Sequence, residues 1–426
     1  MAGNRIYGNQ RWPKNLYVEM IEMMLLSDLI YTFSIILDTA RSMKANGQNF
    51  VGIDVGSKKK LTRSGIRDSY LKRSFTPAEI KKLIQGNAKS LPFKGKELKR
   101  IISVLERIQD RADKQVGMRR PITLDEFDDK FQQDECVYGI TRDSINKRIT
   151  VVFRGTDKLA FTSNWKSNLS MAMKKTPIPK LLKGKVKKSV VRFHTGFYNY
   201  LFNETKEIDA PGFTKYDAIL KGVKSLLAKY PDHKVYTTGH SLGGALSTLA
   251  AFFFACETDL PKPVSCVNFA SPRTGGSDFL DAVHYLERSK QLRFLRVNNN
   301  NDSIPTLPPG KYEHVGFQVT LYKKSWFGFG QASEPDVDYK KTVDSFWTTA
   351  NRAWSNGFIS NANITGYEHA QTEYIANIEL AKEHLEKYNL NMMYADERVV
   401  GYKLVERHLD NEQEWNCCGL TNMFQA

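Results

Sequence analysis

At 426 residues the chain is long enough for one large core with additional segments, and its 41% hydrophobic and 12% aromatic residues exclude a fibrous or disordered protein. A net charge of +16 draws it towards polyanions, whether nucleic acid, anionic membrane or acidic partner, without choosing between them. Five cysteines, Cys136, Cys256, Cys266, Cys417 and Cys418, follow neither a zinc spacing nor a dense disulfide framework, which favours a reducing compartment.

The chain opens MAGNRIYGNQRWPKN, without the basic start, apolar run and small-residue cleavage site of an export signal. An intracellular, cytoplasmic protein is therefore expected, and the sequons at Asn168, Asn203, Asn301 and Asn363 are not expected to be glycosylated. The apolar stretch from Leu16 to Leu37 is interrupted by Glu19, Glu22 and Asp28, so it lacks the ~20 uncharged residues of a membrane span. It reads as a helix packed on the core, the alternative being one lying in a membrane interface. Residues 41–120 are rich in Lys and Arg and read as mostly helical. The expected organisation is a basic helical accessory region over 1–120, an α/β domain over 121–390 and a tail over 391–426.

From about Pro121 the texture changes. CVYGITR and ITVVFRG are β-type runs joined by the turn-like DSINK, a hairpin entering a sheet. A helical stretch from Tyr216 to Tyr230, the β run KVYTTG, an apolar helix from Leu242 to Cys256, CVNFASP, a helix around Phe279 to Arg288 and LRFLRVNN follow. Strands alternating with helices predict an α/β fold with a mostly parallel central sheet flanked by helices.

Gly239-His240-Ser241-Leu242-Gly243 is a GxSxG between a β run and a helix. Average composition gives roughly 0.1 to 0.2 chance matches in such a chain, so the strand-turn-helix setting is what makes the pattern specific. A serine hydroxyl is a weak nucleophile at neutral pH and needs a histidine base, which in turn needs a carboxylate to fix its tautomer. Asp302 lies just beyond the run LRFLRV, where sites of parallel sheets collect. For the base, His369 opens a helix-like segment after an Asn/Gly-containing stretch and is preferred to His314, His384 and His408, with His384 kept as the alternative. The amide of Leu242 is expected to stabilise the oxyanion, and Thr156, ending an apolar run through Gly155, is the second donor.

With VVFRGT, NWKSNL, FHTGFYNYL, VYTTGHSLGGALSTLAAF, NFASPRTGG, RVNNNNDSIPTLPP and YEHVG in order, the chain resembles the class 3, fungal-type lipase family of the α/β-hydrolase superfamily, strongly over residues 135–320 and weakly over 320–390. The resemblance implies Ser241 as nucleophile, Asp302 as acid, and Thr156 and Leu242 as the oxyanion hole; the family's histidine lies several tens of residues after the acid, which suits His369. His194 and His314 match family positions that are not catalytic. Ala270 stands where the family commonly has glycine, a change expected to be tolerated as one added methyl. A lid is implied over about Asp157 to Leu169, including Asn164 and Trp165, although Trp165 equally suits a core position.

Lys174 to Arg192 holds eight basic residues and no acidic one, and is expected either to be a solvated loop or to dock the site onto anionic lipid. The leading expectation is a triacylglycerol or diacylglycerol lipase working through an acyl-enzyme, with a glycerolipid as substrate, peripheral contact with a lipid droplet or anionic membrane, and no need for a metal or organic cofactor. The alternatives are a phospholipase or galactolipase of the same fold, and a non-catalytic lipid-binding protein. No zinc finger, RNP-like motif or basic recognition helix supports nucleic-acid binding. Cys417-Cys418 reads as an inert pair, with palmitoylation as the alternative.

Overall fold

The computed structural model describes residues 12–53, 73–113, 122–129, 136–156, 172–204, 212–300, 302–322, 335–338 and 369–395. Eight strands form one sheet: β1 (Ile122–Asp128), β2 (Tyr138–Asp143), β3 (Arg148–Phe153), β6 (Lys234–His240), β7 (Val264–Phe269), β8 (Leu292–Asn299), β9 (Phe317–Leu321) and β10 (Asp336–Asp338), in the order β1-β2-β3-β6-β7-β8-β9-β10. The five strands from β3 to β9 pair in parallel, and the antiparallel pairs lie at the two edges. Two further strands, β4 (Met173–Pro177) and β5 (Val190–His194), make a separate antiparallel ribbon. This is the mostly parallel α/β-hydrolase sheet that the alternating sequence predicts.

Because side chains alternate across a strand, each central strand feeds two cores. Val152, Tyr236, Val267 and Leu295 enter one, while Val151, Val235, Cys266 and Phe294 enter the other. The second face is covered by α4 (Thr195–Phe202), α5 (Lys215–Lys229), α6 (Leu242–Cys256) and α7 (Ser277–Arg288). The first is covered jointly by α1 (Leu16–Ala45), α2 (Pro77–Gly86), α3 (Gly95–Asp113), α8 (Gln371–Leu380), α9 (Lys382–Leu385) and α10 (Leu390–Ala395). The described parts of the expected accessory region and tail thus pack into the same core as the sheet; the change of texture near residue 120 does not coincide with a break in packing.

Asn15 starts α1 by accepting the Val18 N–H at 3.0 Å. By length and composition α1 is long and apolar enough to cross a membrane, yet 83% of its most apolar window is buried inside the protein. Its acidic residues explain which environment it was built for. Glu19 accepts from Arg293 at 3.0 Å and from the Tyr236 hydroxyl at 3.2 Å, Glu22 from Arg148 at 2.6 Å, and Asp28 from Arg100 at 2.9 Å. A buried carboxylate needs such partners, and a bilayer offers none. α1 is a core helix.

Strand β9 begins at Phe317, three residues after the expected start at His314. His314 Nε2 donates to the Pro305 carbonyl at 2.7 Å, and Gly316 takes φ +75°, so the chain turns before it can extend.

Candidate active site

Ser241 sits between β6 and α6 with φ 60° and ψ −128°, a conformation that costs an L-residue about 1–3 kcal/mol and is held only where the surroundings over-determine it. Here the surroundings are backbone. A methyl on Gly239 would collide with the Gly243 carbonyl, and one on Gly243 with the Phe153 carbonyl, so both glycines are required for strand and helix to meet this closely. The Ser241 N–H donates to Phe269 O at 3.0 Å, locking the turn to the next strand. Its Oγ is buried and makes no hydrogen bond among the described residues.

Asp302 and His369, 67 residues apart in sequence, meet: His369 Nδ1 donates to Asp302 Oδ2 at 2.8 Å. With Nδ1 carrying the proton, Nε2 holds the lone pair of a general base. The acid is itself held from two sides. The Ile304 N–H donates to Oδ1 at 2.9 Å, and the Tyr374 hydroxyl donates to Oδ2 at 2.7 Å while accepting from the Asn299 N–H at 3.1 Å. Tyr374 is fully buried on α8, and sequence reading missed it because a hydroxyl 72 residues from its partner leaves no local pattern.

His240 also went unnoticed as more than the variable position of the motif. Its Nε2 donates to the His369 carbonyl at 2.8 Å, and the two rings lie 4.6 Å apart between centroids. The elbow carrying the serine therefore grips the backbone of the proposed base. Burial, followed by the neighbouring His369, pushes the His240 pKa well below its ordinary value, and its Nδ1 has no partner among the described residues to share a second proton.

The Thr156 region lies against the elbow. A side chain starting from Gly155 would meet Ser241 Cβ at 3.2 Å and the His240 carbonyl at 2.6 Å, and would also strike the Tyr31 hydroxyl of α1. Arg154, one residue earlier, donates to Ser34 of the same helix. The strand end bearing Thr156 is thus sandwiched between α1 and the elbow, while Leu242 opens α6, whose first amides have no intrahelical partner and carry the positive end of the helix dipole. The expected lid residues Asp157, Asn164 and Trp165 lie outside the described residues, as do His408 and Cys417-Cys418.

The remaining histidines have other places. His314 is buried beside Arg296 and Arg273, and burial followed by these charges pushes its pKa well down. His194 caps α4, accepting from the Phe197 N–H at 3.4 Å. His384, the alternative base, lies in α9, its ring 5.2 Å from that of Tyr388, whereas Asp302 bonds His369. Ala270 departs from its expectation: it adopts φ +53°, so the added methyl is a matter of backbone conformation and not of size.

Residues 150–312 match the family Lipase (class 3). Phospholipase A1-IIgamma of Arabidopsis thaliana is 38% identical over 141 residues, 31% of this chain and 33% of that protein. Phospholipase A1-II 6 of Oryza sativa subsp. japonica is 31% identical over 186 residues, 41% of this chain and 43% of that protein. The chain thus spans about a third to two-fifths of the length of these curated relatives. A lipase from Rhizopus microsporus var. chinensis is similar with a TM-score of 0.40 and 22% identity, over 59% of this chain and 72% of that one. The family match takes in Thr156, Ser241 and Asp302 and ends before His369. On that match the chain belongs to the class 3, fungal-type lipase family of the α/β-hydrolase superfamily.

Proposed function

We propose that this protein is a serine ester hydrolase that cleaves acyl esters of glycerolipids, and that phospholipids are its preferred substrates. The observation that carries the reaction type is the Asp302–His369 pair, tied through His240 to an elbow that holds Ser241 in strained exposure to a turn. In this reading Ser241 Oγ attacks the ester carbonyl as His369 Nε2 takes its proton. Asp302 stabilises the imidazolium that results, and the Leu242 and Thr156 amides receive the oxyanion. His369 then returns the proton to the departing alcohol, leaving an acyl-Ser241 ester. Water, deprotonated by the same imidazole, releases the fatty acid. The preference for phospholipid over triacylglycerol is supported by the names of the relatives, which are phospholipases A1.

The test is fatty acid release from phosphatidylcholine, diacylglycerol, triacylglycerol and galactolipid, with Ser241→Ala alongside. Release from phosphatidylcholine above the others, abolished in Ser241→Ala, is the expected result. Faster release from triacylglycerol would return the substrate assignment to a neutral-lipid lipase. Release that persists in Ser241→Ala, or none from any lipid, would remove the hydrolytic reading in favour of lipid binding without turnover.

A further inference from the structure

The ribbon of β4 and β5, with the turn between them, is amphipathic across its thickness. Ile178, Leu182, Val191 and Phe193 are buried in the same core as α6. Lys174, Lys175, Lys180, Lys183, Lys185, Lys187 and Lys188 are all exposed. Among the described residues no carboxylate pairs with any of these seven lysines, and between Asp157 and Glu204 the sequence contains no acidic residue at all. Uncompensated positive charge on this scale is costly in self-repulsion unless something anionic relieves it.

The ribbon is fixed to the rim of the sheet where the proposed site lies. The Gly276 N–H donates to Arg192 O at 3.1 Å, the His194 N–H to Thr274 O at 2.9 Å, and Arg192 Nε pairs with the buried Asp278 at 2.7 Å. Thr274 and Gly276 belong to the loop leaving the carboxyl end of β7, and Arg273 in that loop donates through its N–H to Leu307 O at 2.7 Å, in the loop that carries Asp302. Lysines, ribbon and catalytic loops therefore form one connected rim. The charge is also preorganised: the apolar underside and the Arg192–Asp278 pair order the ribbon before any partner arrives.

We propose that this ribbon is the surface by which the protein docks on an anionic lipid bilayer, the lysines meeting headgroup phosphates and carboxylates with the proposed site beside them. A bilayer suits the surface better than RNA, because the exposed side chains include Val190 at 37% exposure and no aromatic ring on which a base would stack. The proposal draws on the lipid-hydrolase reading for its substrate, but its test does not depend on turnover.

The experiment is sedimentation of the full chain, carrying Ser241→Ala, with vesicles of phosphatidylcholine alone or mixed with phosphatidylglycerol, at low and high NaCl. Binding is expected only to the mixed vesicles and only at low salt. Each lysine near an anionic surface contributes about fivefold to partitioning, so Lys183→Gln with Lys185→Gln and Lys187→Gln should weaken binding by roughly a hundredfold. The same neutralisation at the exposed Lys89, Lys96 and Lys99 should leave it unchanged, with equal thermal midpoints certifying that both variants are folded. Equal binding to neutral vesicles, equal loss in the two variants, or tighter retention on single-stranded RNA would each overturn the proposal. Turnover of a soluble short-chain ester by the unmodified protein is measured separately, and its absence would defeat the hydrolase reading alone.

Discussion

At the scale of single residues, the site is held by groups that the reaction itself does not consume. Asp302 Oδ2 accepts from both His369 and Tyr374, so the phenol orients the carboxylate that orients the base. Tyr374→Phe removes one hydrogen bond to a charged acceptor and leaves the Asn299 N–H without its partner. On the proposed mechanism, kcat for a soluble ester should fall about tenfold with KM little changed. An unaltered kcat would show that the carboxylate keeps its position without the phenol. Ala270, at φ +53°, supports a prediction of opposite sign. Glycine adopts this conformation freely whereas alanine loses about 1 kcal/mol there, so Ala270→Gly should raise the denaturant midpoint despite adding a methyl-sized gap.

At the scale of elements, α1 is what joins the N-terminal sequence to the chemistry. It backs the sheet, supplies Tyr31 beside Gly155 and Ser34 to Arg154, and packs against α8, which begins just after His369. The Tyr17 hydroxyl reaches Glu379, and the Leu16 N–H donates to Tyr388 O at 2.9 Å. Its charges matter as much as its apolar faces. Glu19 and Arg293 are 2% and 1% exposed, and removing one partner of such a pair strands the other in a low dielectric. Glu19→Ala should cost about 3–5 kcal/mol in urea unfolding, a larger loss than a surface pair would give. A loss under about 1 kcal/mol would mean that water reaches Arg293.

At the scale of the whole molecule, the buried titratable groups set a pH dependence of stability. His240 and His314 have pKa values pushed well below 6.5, so below that pH the unfolded chain binds protons that the folded chain refuses, and stability falls as pH falls. Glu126 runs the other way. Burial raises it to about 7, the folded state holds the extra proton between about 4.5 and 7, and this contribution grows as pH falls. Two histidines against one carboxyl leave a net loss on acidification between about pH 6.5 and 5, of about 1.4 kcal/mol per pH unit. Unfolding free energies across that range check the slope, and Glu126→Gln should steepen it. A flat profile would mean that one of the histidines accepts a proton in the folded state.

The sequence by itself determined whatever depends on neighbours along the chain. The alternation of β runs and helices, the Leu242–Cys256 helix and the glycines around Ser241 were legible because periodicity and turn chemistry are local, and seven motifs in order carried the family. Asp302 was legible because a carboxylate just past a strand end has few other uses. Only the tertiary structure decided that His369 is the histidine at Asp302, that Tyr374 and His240 hold that pair, that α1 is a core helix whose acids find arginines on the sheet, and that Ala270 occupies a left-handed position. Each of these joins residues brought together by the sheet order, and a contact across 67 or 274 residues leaves no periodicity for a sequence to display.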